Sequence, residues 1–191
     1  MSELNIQLFL LLNTLAGKGE ILDAIFLFLS EGAGLTLAIG VLLYLLYIEG
    51  RKFVYPFIAI FAPATAAFVY TQVLKRLFLT ERPPLFFDEI TVLFEHGGAD
   101  AFPSGHAATY GALAIAALYY NKKLGGFLFA IAVLIAIARV VAGVHWPVDI
   151  IAGFIIGALF AYVYRELFHD KFLKYLRRYN KDTLSDDKTN V

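Results

Sequence analysis

Two long apolar segments constrain the fold of this chain more than any other feature. Residues 32–48 and 53–74 contain no charged side chain, and each is close to the roughly 20 residues that a helix needs to cross a bilayer. Backbone polar groups in lipid must be bonded within the segment, which a helix achieves. Hydrophobic residues make up 60% of the chain and charged residues 17%. We therefore predict an all-α, polytopic membrane protein.

Three later apolar runs are shorter than a full span. They comprise residues 107–121, 124–138 and 150–164. Each reaches a sufficient length if it is extended across the polar motif at one of its ends, to about Pro103, Ala142 and Pro147. The sequence thus predicts a bundle of five transmembrane helices, or six with a further one near the N-terminus. It also places the polar motifs at interfacial depth.

The first 31 residues are harder to interpret. Residues 4–16 are apolar but short, Gly17, Lys18 and Gly19 interrupt them, and residues 21–29 contain Asp23. We expect two short interfacial or re-entrant helices in residues 1–31; the alternative is a sixth span. The transmembrane core is then expected in residues 32–167, and a polar tail in residues 168–191.

Basic residues are concentrated at one predicted end of the bundle. Eleven of the 16 lie there: Arg51, Lys52, Lys122, Lys123, Arg165, Lys171, Lys174, Arg177, Arg178, Lys181 and Lys188. The positive-inside rule assigns this end to the cytoplasm. We therefore expect a multi-pass protein of the inner (plasma) membrane, with a cytoplasmic C-terminus and the motifs facing the outside or the periplasm.

The first motif contains Lys75 and Arg82, followed by Pro83. Seven residues are two helical turns, or about 10 Å, which predicts that both cations project from one face of a helix that the proline ends. An anion site would need such a pair. The alternative is a pair of basic side chains that reach the membrane surface without further function.

The second motif is Pro103, Ser104, Gly105 and His106. Proline suits the first turn of a helix, so the backbone N–H groups that follow are available to an anion. The small Ser104 and Gly105 allow a phosphate to approach closely. We predict an anion site that includes a histidine, against the alternative of an ordinary turn into a membrane helix.

The third motif contains Arg139, His145, Pro147 and Asp149. Pro147 is expected to start the last span, which places Asp149 in its first turn, where the helix dipole favours an acid. Asp149 can then orient the imidazole of His145, as an aspartate does in a hydrolase triad. A capped turn without catalytic function is the alternative.

In order and spacing, the three motifs resemble the signature of the type 2 phosphatidic acid phosphatase superfamily. The shared pattern is Lys-x6-Arg-Pro, then Pro-Ser-Gly-His, then Arg-x5-His-x3-Asp, and it covers about an eighth of the chain. One position departs from it, because Ala138 stands where the family usually has a serine before the arginine. The missing hydroxyl would affect phosphate contact or the setting of Arg139, but it removes no acid, base or nucleophile.

The resemblance implies a role for each residue. His145 would be the nucleophile that forms a phosphohistidine, Asp149 would orient it, and His106 would be the general acid and then the general base. The remaining residues would hold the phosphate oxygens: Lys75, Arg82, Ser104, the amide of Gly105, and Arg139. No metal or other cofactor is implied. The absence of cysteine independently excludes thiol nucleophiles, disulfides and cysteine metal sites.

A site at interfacial depth predicts a lipid phosphate in the bilayer as the partner, and not a nucleic acid. Residues 84–102 and 96–106 resemble bacterial undecaprenyl pyrophosphate phosphatases of the bacitracin-resistance type. Phosphatidic acid, phosphatidylglycerophosphate and lipid A 1-phosphate are alternative substrates within the same family. The alternatives that are not enzymes are a lipid transporter and a scaffold with a degenerate phosphate site. The sequence does not indicate an oligomeric state.

Overall fold

The computed structural model describes residues 2–95 and 100–186, which form helices and short loops without a strand among them. This confirms the all-α prediction. These described residues form eight α-helices: α1 (Glu3–Asn13), α2 (Glu20–Leu27), α3 (Ala33–Glu49), α4 (Val54–Leu77), α5 (Pro83–Phe86), α6 (Gly105–Tyr120), α7 (Lys122–Val141) and α8 (Pro147–Asp186).

Four helical segments in the described part of the chain are long and apolar enough to cross a membrane. They are Glu20–Glu49, Val54–Leu77, Lys122–Val141 and Pro147–Phe168. Helix α6 has 16 residues, about 24 Å at the rise of an α-helix, and is shorter than these four. The predicted membrane helix bundle is thus confirmed, and a fifth span at α6 stays a prediction.

The N-terminal part differs from the expectation of a separate short helix in residues 21–29. A π-helical turn at Phe28–Gly32 joins α2 directly to α3, so residues 21–29 extend the first span instead of forming another. Asp23 does not interrupt the helix, because it lies in the first turn of α2, where an acid is favoured, and accepts the N–H of Gly17 at 2.8 Å. Helix α1 is separate and short, as expected.

Helix α6 lies at the centre of the bundle and packs against α4, α7 and α8. Its buried face is made mainly of alanines, and it contacts α7 and α8 where these helices carry glycine. A Cβ atom on Gly157 of α8 would lie 2.4 Å from the carbonyl oxygen of Ala108, and one on Gly125 of α7 would lie 2.3 Å from the backbone nitrogen of Leu118. Small residues at such crossings let membrane helices approach to backbone contact.

Three basic segments lie at the same end of the bundle: residues 51–52, residues 122–123 and the part of α8 that starts at Arg165. The Tyr120 hydroxyl, at the end of α6, donates a hydrogen bond to the Glu49 carboxylate at the end of α3. The Arg165 guanidinium of α8 lies over the Tyr119 ring, with its carbon 4.7 Å from the ring centre. Each helix that carries a polar motif therefore has the motif at the opposite end, as the apolar runs predicted.

A larger side chain at position 157 should separate α6 from α8. For Gly157→Ala we expect a lower midpoint of thermal unfolding in detergent and a loss of activity, because backbone atoms occupy the space that the methyl group needs and overpacking a tight contact costs about 1–3 kcal/mol. Gly126→Ala on α7 is the matched control, since nothing lies within 4 Å of its Cβ position. Equal midpoints for the two variants would contradict the close packing of α6 and α8.

Candidate active site

The third motif forms a buried histidine–aspartate pair at the start of α8. This helix begins at Pro147, as predicted, so Asp149 lies in its first turn. One oxygen of Asp149, Oδ2, accepts the backbone N–H of Trp146 at 2.8 Å and lies 3.2 Å from Nδ1 of His145. A carboxylate at this position favours the tautomer with the proton on Nδ1, which leaves the lone pair on Nε2. The pair thus fixes the orientation of the imidazole and presents Nε2.

The second motif begins α6 and is bonded to the third. Ser104 is the N-cap residue: its Oγ accepts the N–H of Ala107 at 3.4 Å, and its own N–H donates to the carbonyl oxygen of Asp149 at 3.0 Å. Pro103 precedes the cap, so the prediction that it lies in the first turn is wrong. Serine takes the cap position because its hydroxyl satisfies an N–H of the first turn. Gly105 and His106 are the first two helical residues, whose N–H groups have no acceptor within the helix.

The first motif reaches the same site by a different route from the one predicted. Helix α4 ends at Leu77, with Lys75 in its last turn, whereas Arg82 lies in extended backbone beyond the helix. The prediction that the two cations share one helix face is therefore wrong. Arg82 is only 2% exposed, and its Nη1 donates to the carbonyl oxygen of Val144 at 2.7 Å. This bond places the guanidinium beside His145.

Lys75 and Arg82 nevertheless converge, and they do so on Asp100. Nε and Nη2 of Arg82 lie 3.1 and 3.0 Å from Oδ1 of Asp100. The Lys75 ammonium group donates to the backbone carbonyl of the same residue, and its nitrogen is 4.0 Å from the other carboxylate oxygen. The Asp100 side chain is 44% exposed, although the Arg82 side chain beneath it is buried. An anion therefore already lies on the solvent side of the two cations.

Arg139 connects the last turn of α7 with α6 and with the N-terminal span. Its Nη1 donates to the carbonyl oxygen of Ser30 at 2.9 Å and to Oε1 of Glu31 at 2.6 Å, and lies 3.4 Å from Nε2 of His106. The side chain is 1% exposed, and its Nε has no hydrogen-bond partner among the described residues. An unpaired buried N–H is costly. An oxyanion bound beside His106 would supply the missing acceptor.

All eight site residues predicted from the sequence lie together at one end of the bundle. They are Lys75, Arg82, Ser104, Gly105, His106, Arg139, His145 and Asp149. Direct bonds link the three motifs: Arg82 bonds to the residue before His145, Ser104 bonds to Asp149, and Arg139 contacts His106. The arrangement gives two histidines, three cations and the start of a helix around a single position.

The structure also identifies residues of α1 that the sequence analysis missed. Oδ1 of Asn5 accepts the N–H of Val148 at 2.9 Å and so caps the start of α8. Asn13 donates to the carbonyl oxygen of Val141 at 2.9 Å, at the end of α7. Phe9 lies between them and packs on Trp146, with ring centres 5.1 Å apart. The sequence pattern that could have indicated them is their spacing of four residues, which places the three side chains on one face of a helix.

Burial and the nearby cations favour the neutral form of His145. Burial lowers the pKa of its imidazole well below the ordinary value of 6.5, and the nearby charges of Arg139, Arg82 and Lys75 lower it further. A neutral imidazole is the form that can attack phosphorus.

Comparison with known proteins identifies the family. Residues 54–173, more than half of the chain, match the model of the PAP2 (type 2 phosphatidic acid phosphatase) superfamily. The chain belongs to the PAP2 superfamily. This confirms the resemblance drawn from the three motifs. The protein is a membrane lipid phosphatase and therefore a hydrolase.

Two curated relatives and a solved structure match most of this PAP2 chain. The bacitracin transport permease protein BcrC of Bacillus licheniformis is 28% identical over 84% of this chain and 78% of its own length. The undecaprenyl-diphosphatase BcrC of Bacillus subtilis is 26% identical over 84% of this chain and 82% of its own length. The crystal structure of Aquifex aeolicus LpxE has a TM-score of 0.73 and 26% identity, over 86% of this chain and 96% of that one.

His145 should remain neutral at pH 6, where a free imidazole is mostly protonated. In protein labelled with ¹⁵N-histidine, the NMR signals of its ring nitrogens should be those of the neutral form with the proton on Nδ1. These signals are assigned by their loss in His145→Gln. Lys75→Ala should raise the pKa of His145, because it removes a cation that disfavours the imidazolium. Lys123→Ala, exposed at the opposite end of the bundle, should not. A doubly protonated His145 ring at pH 6 would refute this description.

Proposed function

We propose that this PAP2 phosphatase removes the terminal phosphate of undecaprenyl diphosphate at the outer surface of the membrane. The observation that carries the chemistry is the buried His145, with its Nδ1 3.2 Å from Asp149, among the buried cations Lys75, Arg82 and Arg139. The substrate rests on the relative from Bacillus subtilis, which is named for this activity and matches over most of its length. A site at the end of a membrane bundle suits a lipid whose tail stays in the bilayer.

The first step transfers a phosphoryl group to the enzyme. The lone pair of His145 Nε2 attacks the terminal phosphorus in line, and the bond from that phosphorus to the bridging oxygen breaks. His106 supplies a proton to that oxygen, so undecaprenyl phosphate leaves. Asp149, bonded to Nδ1 at 3.2 Å, stabilises the charge that the attacking imidazole acquires.

The second step returns His145 to its starting state. His106, now without its proton, takes one from water, and the resulting hydroxide attacks the phosphohistidine. The bond between phosphorus and nitrogen breaks, and inorganic phosphate is released. Through both steps the nonbridging oxygens would be held by Lys75, Arg82, Arg139, Ser104 and the amide of Gly105. These donors stabilise the charge on the transferring group without a metal or cofactor.

Other lipid phosphates would undergo the same two steps. Phosphatidic acid, phosphatidylglycerophosphate and lipid A 1-phosphate differ from the proposed substrate in the leaving group, which the site residues do not specify. A panel of these lipids would rank them.

The alternatives that are not enzymes have narrower support. The relative from Bacillus licheniformis is named a transport permease, and a transporter would also place charge at membrane depth. A scaffold with a degenerate site is supported only by Ala138. Neither alternative requires His145 to be paired with Asp149 while His106 lies beside the cation of Arg139.

The proposed orientation places the site outside the cell or in the periplasm, in the inner (plasma) membrane, with the C-terminus in the cytoplasm. It is supported by the basic residues of the loops at the opposite end of the bundle.

Purified protein should release phosphate from undecaprenyl diphosphate in detergent containing EDTA. His145→Ala should abolish this release, because it removes the imidazole that forms the covalent intermediate. The assay is colorimetric phosphate detection, with unfolding midpoints of both proteins measured to exclude misfolding. Full activity in His145→Ala would eliminate this residue as the nucleophile, and a rate that needs an added divalent cation would contradict the metal-independent mechanism.

The orientation can be tested with single cysteines, since the chain has none of its own. Glu89→Cys, exposed in the loop between α5 and α6, should react with a membrane-impermeant maleimide in intact cells or spheroplasts. Lys123→Cys, equally exposed at the other end of the bundle, should react only after lysis. The reverse pattern would invert the proposed topology.

A further inference from the structure

We propose that Glu31 is a positioning residue for Arg139, so that the N-terminal span forms part of the phosphate site. The proposal rests on the proposed function, in which Arg139 holds a phosphate oxygen. Glu31 lies outside residues 54–173 that match the family model. No role for it followed from the sequence motifs.

The contacts of Arg139 show how Glu31 would act. Nη1 carries two hydrogens, and its closest acceptors are Oε1 of Glu31 at 2.6 Å and the carbonyl oxygen of Ser30 at 2.9 Å. Two acceptors on one nitrogen stop the guanidinium from rotating. The buried Nε, which has no partner in the described part of the chain, is then presented in a constant direction. Arginine binds phosphate through such an edge.

The local fold explains how one segment supplies both acceptors. Ser30 and Glu31 lie in the π-helical turn Phe28–Gly32, and turns of this kind occur often at functional sites. One turn further along, Gly34 lies against α6: a Cβ atom there would be 1.8 Å from the Tyr110 hydroxyl. The same span thus contacts α7 at Arg139 and α6 one turn after His106.

A charged side chain at the position of Glu31 would cost free energy if it were not paired with a cation such as Arg139. Glu31 is the one charged residue between Asp23 and Glu49 in a helical stretch long and apolar enough to span a membrane, and ionisable groups there generally mark functional sites. Its side chain is 45% exposed, whereas that of Arg139 is 1% exposed. The carboxylate therefore holds the buried cation from the solvent side.

Two possible roles of Glu31 predict opposite effects of its removal on the binding of an oxyanion. If Glu31 positions Arg139, its loss weakens binding of a phosphate-like anion and slows transfer. If it only competes with phosphate for Arg139, its loss tightens binding. Orthovanadate, which can adopt the five-coordinate geometry of phosphoryl transfer, distinguishes the two.

The test compares Glu31→Ala, Glu31→Gln and the control Glu49→Ala, which removes an acid from the far end of the same helical stretch. We expect Glu31→Ala to lower kcat/KM by about 10- to 100-fold, the scale of a misplaced catalytic group, and to weaken inhibition by orthovanadate. Glu31→Gln keeps an acceptor oxygen and should retain most activity. Glu49→Ala loses its hydrogen bond with Tyr120, but it should keep the wild-type kcat/KM and inhibition by orthovanadate. In an Arg139→Ala background, Glu31→Ala should have no further effect.

Several outcomes would overturn the proposal. Tighter vanadate inhibition in Glu31→Ala would make the carboxylate a competitor, and an equal loss with and without Arg139 would make its role one of packing. Thermal stabilisation of each variant by orthovanadate provides a readout that is independent of turnover. If the wild type lacks hydrolytic activity, the proposed function fails, whereas the stabilisation by vanadate still tests whether Glu31 supports anion binding through Arg139.

Discussion

Backbone contact between α6 and α8 is the constraint on which the site depends. The Ser104 N–H donates to the Asp149 carbonyl, so the cap of one helix is bonded to the first turn of the other. The contact is possible because Gly153 and Gly157 leave no side chain between the helices; a Cβ on Gly153 would lie 2.6 Å from the Ser104 carbonyl oxygen. Side chains at the starts of both helices consequently lie close together, as the proposed mechanism requires of His106 and His145.

Three buried cations at this point create an electrostatic problem that the fold solves with nearby oxygens. Isolated charges are expensive to bury. Backbone carbonyls bond each of them: that of Asp100 bonds Lys75, that of Val144 bonds Arg82, and that of Ser30 bonds Arg139. Two half-exposed carboxylates, Asp100 and Glu31, lie on the solvent side. The cations are thereby held in place by fixed dipoles, which leaves donor capacity such as Nε of Arg139 for a ligand.

The segment before the family-matched residues is part of this arrangement. Helix α1 bonds to the end of α7 through Asn13 and to the start of α8 through Asn5, which secures both ends of the loop that carries His145. The π-helical turn then brings Glu31 to Arg139. The residues of α1 and of the π-helical turn lie far along the chain from the loop that they hold, and the number of residues between them and that loop is not fixed. A motif search therefore does not find them.

The resemblance of the motifs to a phosphatase family named the eight candidate site residues, whereas residue order and charge by themselves determined the membrane bundle and the common end of the three motifs. These follow from local rules: an uncharged run must be helical in lipid, and short runs are completed by the motifs at their ends. Only the tertiary structure decided that α4 ends before Arg82, that Ser104 and not Pro103 caps the start of α6, and that Asp100 and Glu31 pair with the cations. Each of these depends on which groups meet across helices, because Arg82 leaves the helix to bond Val144 and Ser104 caps α6 while bonding Asp149. Such contacts between residues far apart in the chain leave no periodic pattern in the sequence.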